Sequence, residues 1–338
     1  MKKYSGIDLH SNNCVVAVID EADQVLYRKR LPNEISVIVA ALGVYRGELH
    51  SVVVESTYNW YWLVDGLMEA GFEVRLANTA AIKQYEGLKH TDDGDDAVWL
   101  AHLMRLGLLP QGHIYPKAER AVRDLLRKRS QLVRQRTANI LAIENLVARN
   151  SGRLINGNQV KRLSPADLPA IEPEADRRLA IAANLAVMGT LNEQIKQLET
   201  AVKARTKAHE ALPPLKTVAG IGETLALTIA LETGGIERFA KVGNFASYCR
   251  AVDSRRLSNG KKKGEGNAKC GNKYLAWAFV EAAHFAVRYC AQAKRFYQRK
   301  RARTNNAVAI KAVAHKLARA CYYVMRDRVP FDPARCFS

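Results

Sequence analysis

Five carboxylates have the residue types and spacing that metal-dependent phosphate chemistry needs. Asp8 stands in GIDLH, Glu55 in VVVES, and Asp92, Asp93 and Asp96 in TDDGDDA. Carboxylate oxygens are the ligands that Mg²⁺ prefers, and two ions about 3.5 to 4 Å apart can clamp the oxygens of a phosphoryl transfer. These acids lie in a chain whose formal net charge is +19. Acids gathered in so basic a protein indicate a divalent metal beside a polyanion.

The third acidic element allows two registers. The apolar pattern that begins at Ala97 predicts a helix whose first turn contains these acids. Either Asp92 with Asp96 (i, i+4) or Asp93 with Asp96 (i, i+3) would then share one face, so Asp96 belongs to both pairs. For one Asp alone, complementing the helix dipole would be a sufficient explanation. The coincidence with Asp8 and Glu55 favours metal binding.

The elements that must position these acids are short strands and helices. Alternating and apolar runs predict strands at residues 4–9, 14–19, 25–30, 51–54 and 72–76, with amphipathic helices after the third and fourth. A three-stranded antiparallel meander followed by β-α-β units is the order of the ribonuclease H-like fold. Asp8 then ends the first strand and Glu55 ends the fourth, where two acids from neighbouring strands can share an ion.

Composition narrows the class of protein. Lys and Arg total 52 against 33 Asp and Glu, an excess that drives binding to nucleic acid through counterion release. At 48% hydrophobic residues the chain is not a disordered tail. Its six cysteines form no CxxC pair, which indicates reduced thiols in the cytoplasm. No apolar run reaches the roughly 18 residues of a membrane span, so we expect no membrane insertion.

Two long helices are predicted in the middle of the chain, at residues 118–148 and 181–202, on either side of a linker at 150–173. The second helix has apolar residues in steps of three or four, close to a heptad seam. A coiled-coil hairpin or dimer contact and an ordinary helical-bundle core both fit this pattern.

Towards the C-terminus two glycine-containing segments have candidate roles. Gly220-Ile221-Gly222 precedes a helical run, as in a helix-hairpin-helix element whose amides approach a phosphate, although any tight helix connection uses such glycines. Residues 255–273 predict a flexible cationic loop, and alone they would indicate only a solvated, non-specific phosphate contact. The cations of this loop are Arg255, Arg256, Lys261, Lys262, Lys263, Lys269 and Lys273. Helices follow, with a basic run at 294–303.

Several segments together resemble the DEDD transposases of bacterial insertion sequences, the 110/1111 family, which includes bridge-RNA-guided recombinases. The segments are GIDLH, VVVES, TDDGDDA with WLAHLMRLG, AGIG, and RLSNGKKKGEGNAKCGNKYLAWA. The resemblance covers nearly the whole chain. It implies an α/β plus α architecture: a RuvC-like (ribonuclease H-like) catalytic domain at 1–112, a helical or coiled-coil region at 113–212, and a mainly helical transposase domain at 213–338 that carries a nucleophilic serine.

The resemblance also assigns residues. Asp8, Glu55 and Asp96 become metal ligands, and the family's D-x-x-D-A spacing selects Asp93 as the fourth, with Asp92 beside it as the open alternative. The family's serine precedes a basic loop that ends in Gly-Asn, so counting back from 271–272 gives Ser258 as nucleophile, with Ser254 as the runner-up.

The implied function is an RNA-guided DNA recombinase that works through a covalent phosphoserine with Mg²⁺. Its implied partners are donor and target DNA, a structured noncoding guide RNA and further copies of the chain in a dimer or tetramer at the bacterial nucleoid. Two rival functions remain. One is a metal-dependent RuvC-like Holliday-junction nuclease that activates water, with Ser258 incidental. The other is a catalytically silent module that binds RNA or DNA.

Overall fold

The computed structural model describes residues 1–82, 93–252, 255–259, 261–265 and 270–338. By their internal contacts they group into two units, Met1–Lys117 with Ser254–Cys270, and Ala118–Asp253 with Gly271–Ser338. The three-way division at residues 112 and 212 stays a prediction.

The first unit is built on a six-stranded mixed sheet. In chain order its strands are β1 (Lys3–Leu9), β2 (Asn13–Ile19), β3 (Val25–Pro32), β4 (Leu49–Glu55), β5 (Val74–Ala77) and β6 (Gln111–Gly112). Their order across the sheet is β3-β2-β1-β4-β5-β6. The first three strands form an antiparallel meander, β1, β4 and β5 are parallel neighbours, and β6 is antiparallel to β5. The predicted meander and β-α-β order are confirmed.

Helices cover both faces of this sheet. In this unit the described helices are α1 (Ile35–Gly43), α2 (Tyr61–Glu69), α3 (Thr79–Ile82) and α4 (Asp93–Arg105). α1 and α2 pack Ile38 and Leu63 against Ile7 and the other inward residues of one face. α4 packs Leu100 against Val53 on the opposite face. The mixed sheet between helices confirms the α/β part of the predicted fold class, whereas a RuvC-like identity stays a prediction.

The second unit is helical, which confirms the mainly helical C-terminal part of the prediction. Its described helices are α5 (Lys117–Ser151, whose first residue belongs to the first unit), α6 (Gly157–Val160), α7 (Leu168–Ile171), α8 (Ala175–Thr206), α9 (Leu212–Lys216), α10 (Glu223–Thr233), α11 (Val242–Tyr248), α12 (Lys273–Tyr289), α13 (Ala291–Arg303), α14 (Asn306–Asp327) and α15 (Pro333–Phe337). Short 3-10 turns lie at Pro165–Asp167 and Ile236–Arg238. Within the described segments, no helix is both long and apolar enough to cross a membrane.

The two long helices, α5 and α8, run antiparallel. Arg129 donates to Glu199 over 2.8 Å, and Arg136, further along α5, donates to Asn192, further back along α8, over 2.8 Å. Ile143 of α5 is fully buried in the same apolar cluster as residues of α8. The paired helices fit the predicted hairpin, and a coiled-coil supercoil stays a prediction.

The cationic loop contains regular structure that we did not predict. Strands β7 (Arg255–Ser258) and β8 (Lys261–Glu265) pair antiparallel, with Ser258 opposite Lys261 and a register shift after Arg256. Between them Asn259 has the positive φ of 50° that tight hairpin turns require, and Asn-Gly is a sequence that favours such turns. Its segment, Ser254–Cys270, groups with the first unit.

Candidate active site

Asp8 and Glu55 lie side by side at the ends of neighbouring strands. The parallel register of β1 and β4 pairs Ile7 with Val54, so the next residue on each strand is an acid. Strand alternation places Glu55 on the face of Val53, which packs against α4. It likewise places Asp8 on the face of Tyr4, which packs in one cluster with Ala101 of α4. Both carboxylates therefore belong to the sheet face that α4 covers.

A glycine sets how closely α4 approaches β1. A Cβ atom built on Gly6 would lie 2.0 Å from the carbonyl oxygen of Ala97 and 2.9 Å from the amide nitrogen of Ala101, so no side chain fits there. Val15, the β2 partner of Asp8, packs in one cluster with Ala97. The first turn of α4 therefore lies towards the end of β1 that carries Asp8.

That first turn contains two of the predicted ligands. Asp93 is the first described residue of α4, and Asp96 lies three positions later on the same helix face. Asp96 is partly exposed and has an interaction partner. Asp92 lies outside the described residues, and so does the side chain of Asp93. The backbone of α4 thus brings the helical acids to the same sheet face as Asp8 and Glu55.

Asp8 is enclosed at the base of this site. It is 4% exposed, and the Nε2 atom of His10 lies 3.2 Å from its Oδ2 without the alignment of a hydrogen bond. Burial, and next the charge of Asp8, raises the pKa of the Cys14 thiol to about 11, so this cysteine is neutral and a poor metal ligand. The carboxylate of Asp8 offers the oxygen ligands that a hard cation such as Mg²⁺ prefers, whereas the imidazole nitrogen of His10 is a poorer ligand for such an ion.

Loops after the two acidic strands are tied together by residues that the sequence analysis missed. The backbone carbonyl of His10 accepts hydrogen bonds of 3.1 Å from the side-chain amides of Asn33 and Asn59. Asn59 in turn accepts from the hydroxyl of Thr57 over 2.9 Å, just past the end of β4. This network fixes the end of β1 relative to the end of β4, and nothing in the residue pattern predicts it.

The acids do not form a complete metal site in the described part of the chain, where no three His, Cys, Asp or Glu side chains are close enough to hold an ion. Their oxygens nevertheless suit Mg²⁺, which takes one or two protein carboxylates and keeps several waters. A quartet would also need Asp93 or Asp92, whose side chains are not described.

The predicted nucleophile lies at the tip of the β7-β8 hairpin. Ser258 is the last residue of β7, next to the turn residue Asn259. Lys261, Lys263 and Lys273 are exposed. The remaining predicted residues of this region lie outside the description, either entirely or in their side chains: Ser254, Arg255, Arg256, Ser258, Lys262 and Lys269. The role of Ser258 as the nucleophile stays a prediction.

In the helical unit, the chain that flanks the hairpin is firmly anchored. Gly271 has a φ of +87° and lies so close to Tyr248 that a Cβ atom would be 2.5 Å from its carbonyl oxygen. Arg250 donates to the carbonyl oxygen of Gly271 from Nε and Nη2 over 3.1 and 2.9 Å. The side chain of Asn272 caps α12 by accepting from the amides of Tyr274 and Leu275. These contacts fix Gly271 and Asn272 at the start of α12 within the helical unit.

A buried ion pair supports this anchor. Glu232 is 2% exposed and accepts from both Nε and Nη2 of Arg127, over 2.7 and 2.8 Å. Its Oε2 atom also accepts from Nδ2 of Asn272 over 2.7 Å. A buried carboxylate is tolerated only when its oxygens are paired in this way. Glu232 was not singled out from the sequence, and Arg127 was interpreted there only as one of the cations on the surface of the first long helix.

The Gly220-Ile221-Gly222 turn is shaped by packing. Gly220 has a φ of +85°, and a Cβ atom there would lie 2.2 Å from the carbonyl oxygen of Ala282 in α12. Gly222 is exposed and is the N-cap residue of α10. Close helix approach is therefore sufficient to explain Gly220, and phosphate contact by this turn stays a prediction.

This chain is similar to known transposases. Residues 5–149 match a family model for DEDD transposases of the IS110 type, described as "Transposase", and residues 213–298 match the model "Transposase IS116/IS110/IS902 family". A protein named "Probable family 20 transposase" from Pseudomonas aeruginosa is 28% identical, over 97% of this chain and 98% of its own length. The "Transposase for insertion sequence element IS1111A" from Coxiella burnetii is 24% identical, over 85% of this chain and 78% of its own length. This chain belongs to the IS110 family of insertion-sequence transposases and is a DNA transposase.

Proposed function

We propose that this transposase cuts and rejoins DNA through a covalent phosphoserine at Ser258, assisted by Mg²⁺ held by Asp8, Glu55, Asp93 and Asp96. The main support is the common face on which these acids lie. Two of them end neighbouring parallel strands, and the other two begin the helix that covers the same side of the sheet. Mg²⁺, when bound, would supply positive charge to the phosphate oxygens and activate a hydroxyl.

The chemistry of the strand exchange needs no external energy. The Oγ atom of Ser258 would attack a DNA phosphorus and form a new ester bond, while the bond from that phosphorus to one sugar oxygen breaks. The serine proton is lost to a base, and the released sugar oxygen takes up a proton. Because one phosphodiester replaces another, the reverse attack by a different sugar hydroxyl rejoins the strands. The grouping of Ser254–Cys270 with Met1–Lys117 supports the delivery of this hydroxyl to the acids.

We further propose that a structured noncoding RNA selects donor and target DNA by base pairing, and that the protein contacts the RNA through its shape and backbone. The cations at 255–273 would contact phosphates beside the reacting strand. A dimer or tetramer would assemble the active sites, so that assembly controls cutting. The net charge of +19 supports a large nucleic-acid partner.

The test is to trap the adduct. Labelled donor and target DNA is incubated with protein, Mg²⁺ and the RNA encoded beside the gene, then run on a denaturing gel. The wild type and Ser254→Ala should give a protein-DNA adduct, and Ser258→Ala should give none. A Ser258→Ala protein that cuts DNA at the full rate would overturn the proposal in favour of the water-using nuclease. The Asp8→Asn variant should bind DNA but form no adduct. If the protein were a catalytically silent binding module, Asp8→Asn would leave its activity in cells unchanged.

A further inference from the structure

Helix α13 carries a strongly charged surface away from the site described above. Its sequence, AQAKRFYQRKRAR, contains six cations and no acid. All six are exposed: Lys294, Arg295, Arg299, Lys300, Arg301 and Arg303. The opposite side of the helix is anchored, since Ala293 is fully buried and Phe296 packs on Phe337 with a ring separation of 5.9 Å. The helix therefore holds its charges on a fixed support.

Three of these cations need an explanation beyond helix stability. Lys300, Arg301 and Arg303 lie in the last turn, where cations complement the helix dipole. Lys294, Arg295 and Arg299 lie outside it, and we call them the α13 cationic face. In the described part of the chain, none of these three forms an ion pair with an acid. Like charges at i, i+4, as in Arg295 and Arg299, destabilise a helix by about 0.2–0.5 kcal/mol. The arrangement therefore favours an anion supplied from outside the chain.

The surroundings of this face suit a phosphate. Arg295 and Arg299, together with Gln292 and Gln298, line a hollow of about 470 Å³ whose other lining residues are Ala334, Phe337 and Ser338. The charged side chains among them are cations, and both glutamines can also donate hydrogen bonds. After α13 the chain turns directly into α14, a 22-residue helix with no acid in its first turn, so its positive dipole end adds to the field.

We propose that the α13 cationic face binds the phosphate backbone of double-stranded DNA. Lys294 and Arg299, the two ends of this face, are about 7.5 Å apart along the helix axis. Duplex DNA presents one charge per about 1.7 Å of its own axis, so several phosphates lie within that span. No side chain of this face has to read a base, so it binds duplex DNA of any sequence. The proposal rests on the DNA transposase assignment and not on the phosphoserine chemistry.

The test measures the salt dependence of DNA binding in the full chain. Fluorescence anisotropy with a 30-base-pair duplex of arbitrary sequence is recorded at several NaCl concentrations, in EDTA and in a Ser258→Ala background, so that neither metal nor nucleophile contributes. The logarithm of the DNA-binding constant falls with the logarithm of the salt concentration, and each lost phosphate contact makes this negative slope shallower by about 0.9. Replacing Lys294, Arg295 and Arg299 by Gln should make the slope shallower by about 2–3 and weaken DNA binding roughly tenfold or more.

A control variant loses the same charge elsewhere. Lys203, Arg326 and Arg328 are exposed and each pairs with an acid, Glu223, Asp327 and Glu210 respectively. Replacing these three by Gln should leave the slope close to that of the parent. Equal slopes in the two triple variants would overturn the proposal. It would also be overturned if the α13 variant bound a duplex RNA of the same sequence more weakly but bound the DNA duplex as the parent does. An unchanged melting temperature of the α13 variant shows that the fold is kept, and a missing Ser258 adduct would leave this result standing.

Discussion

The side-chain amide of Asn59 donates a 3.1 Å hydrogen bond to the backbone carbonyl of His10. This bond joins the loop after β4 to the turn after β1, and so fixes Glu55 relative to Asp8. We expect Asn59→Ala to lower the rate of strand cleavage roughly tenfold to a hundredfold, because small displacements of reacting groups cost that much. The free energy of unfolding should fall by only about 1 kcal/mol.

Asn12 supplies the matched control, since it is exposed and lies in the same turn. Asn12→Ala should cleave DNA at close to the wild-type rate. Asn33 donates to the same carbonyl over 3.1 Å, so the double variant Asn33→Ala, Asn59→Ala should be slower than either single variant. Cleavage by Asn59→Ala at the wild-type rate would show that this hydrogen bond does not position the acids.

The close approach of Gly6 to Ala97 gives a second prediction. The Cβ atom of Gly6→Ala would lie 2.0 Å from a backbone oxygen, so α4 must move away from β1. We expect a loss of about 3 kcal/mol in the free energy of unfolding, measured with urea, together with loss of cleavage. Gly43 is exposed with open space around it, and Gly43→Ala should change stability by less than about 1 kcal/mol. Equal effects of the two substitutions would refute this account of α4.

The sheet and the placement of Asp8 and Glu55 could be predicted because apolar alternation reports directly on strands with a buried face. The Asn59 contact could not, since its acceptor is a backbone carbonyl 49 residues away, and any residue could supply that group. Glu232 is an intermediate case. A single acid inside the apolar run LALTIALE indicates a buried charge that needs a partner, but its spacing does not reveal Arg127, 105 residues distant.

The β7-β8 hairpin was missed for another reason. Lys and Gly are poor strand formers, so composition predicts a loop. Asn259-Gly260 is the local signal that outweighs it, since this dipeptide suits the φ of a tight hairpin turn. The Asn-Gly turn signal therefore predicts a hairpin, and with it both strands, where the composition alone predicts a loop.

Asp92 and Asp93 can be distinguished by substitution. Asp93 is three residues before Asp96 on α4, which places it on the same helix face. Asp93→Asn should therefore reduce the cleavage rate at least about a hundredfold and weaken Mg²⁺ binding in calorimetry, whereas Asp92→Asn should keep most of both. The opposite ranking would move the fourth ligand to Asp92 and require the i, i+4 register.

The turn between β2 and β3 is held to the far end of α4 by Asp23. Burial tends to raise the pKa of this carboxyl, but hydrogen bonds from Arg105 and His102 outweigh it, and the pKa is lowered overall. The stability that this group contributes is therefore present above the ordinary pKa of an Asp and is lost as the pH falls through the lowered value.

Asp23→Asn keeps a residue that tolerates the φ of +63° at this position. The variant should lose less stability than the wild type between about pH 5 and pH 3 in urea unfolding. The control Asp124→Asn, at an exposed position, should lose as much stability as the wild type over this pH range. If Asp23→Asn also lost as much as the wild type, the contact of Asp23 with Arg105 and His102 would not contribute to stability.

The last prediction concerns Asn272, which caps α12 and also donates to Glu232 over 2.7 Å. Ser and Asp both cap helices well, so either substitution keeps the cap. Asn272→Ser only loses the hydrogen bond to Glu232 and should cost about 1 kcal/mol. Asn272→Asp places a second carboxylate against a buried one, and should cost about 3 kcal/mol and slow adduct formation by Ser258. Adding Glu232→Gln to Asn272→Asp removes the repulsion and should restore part of the stability and part of the rate of adduct formation. If Asn272→Asp acted only by weakening the cap, the second substitution would restore neither. If Asn272→Asp proves no less stable than Asn272→Ser in urea unfolding, residue 272 does not interact with Glu232 at this anchor.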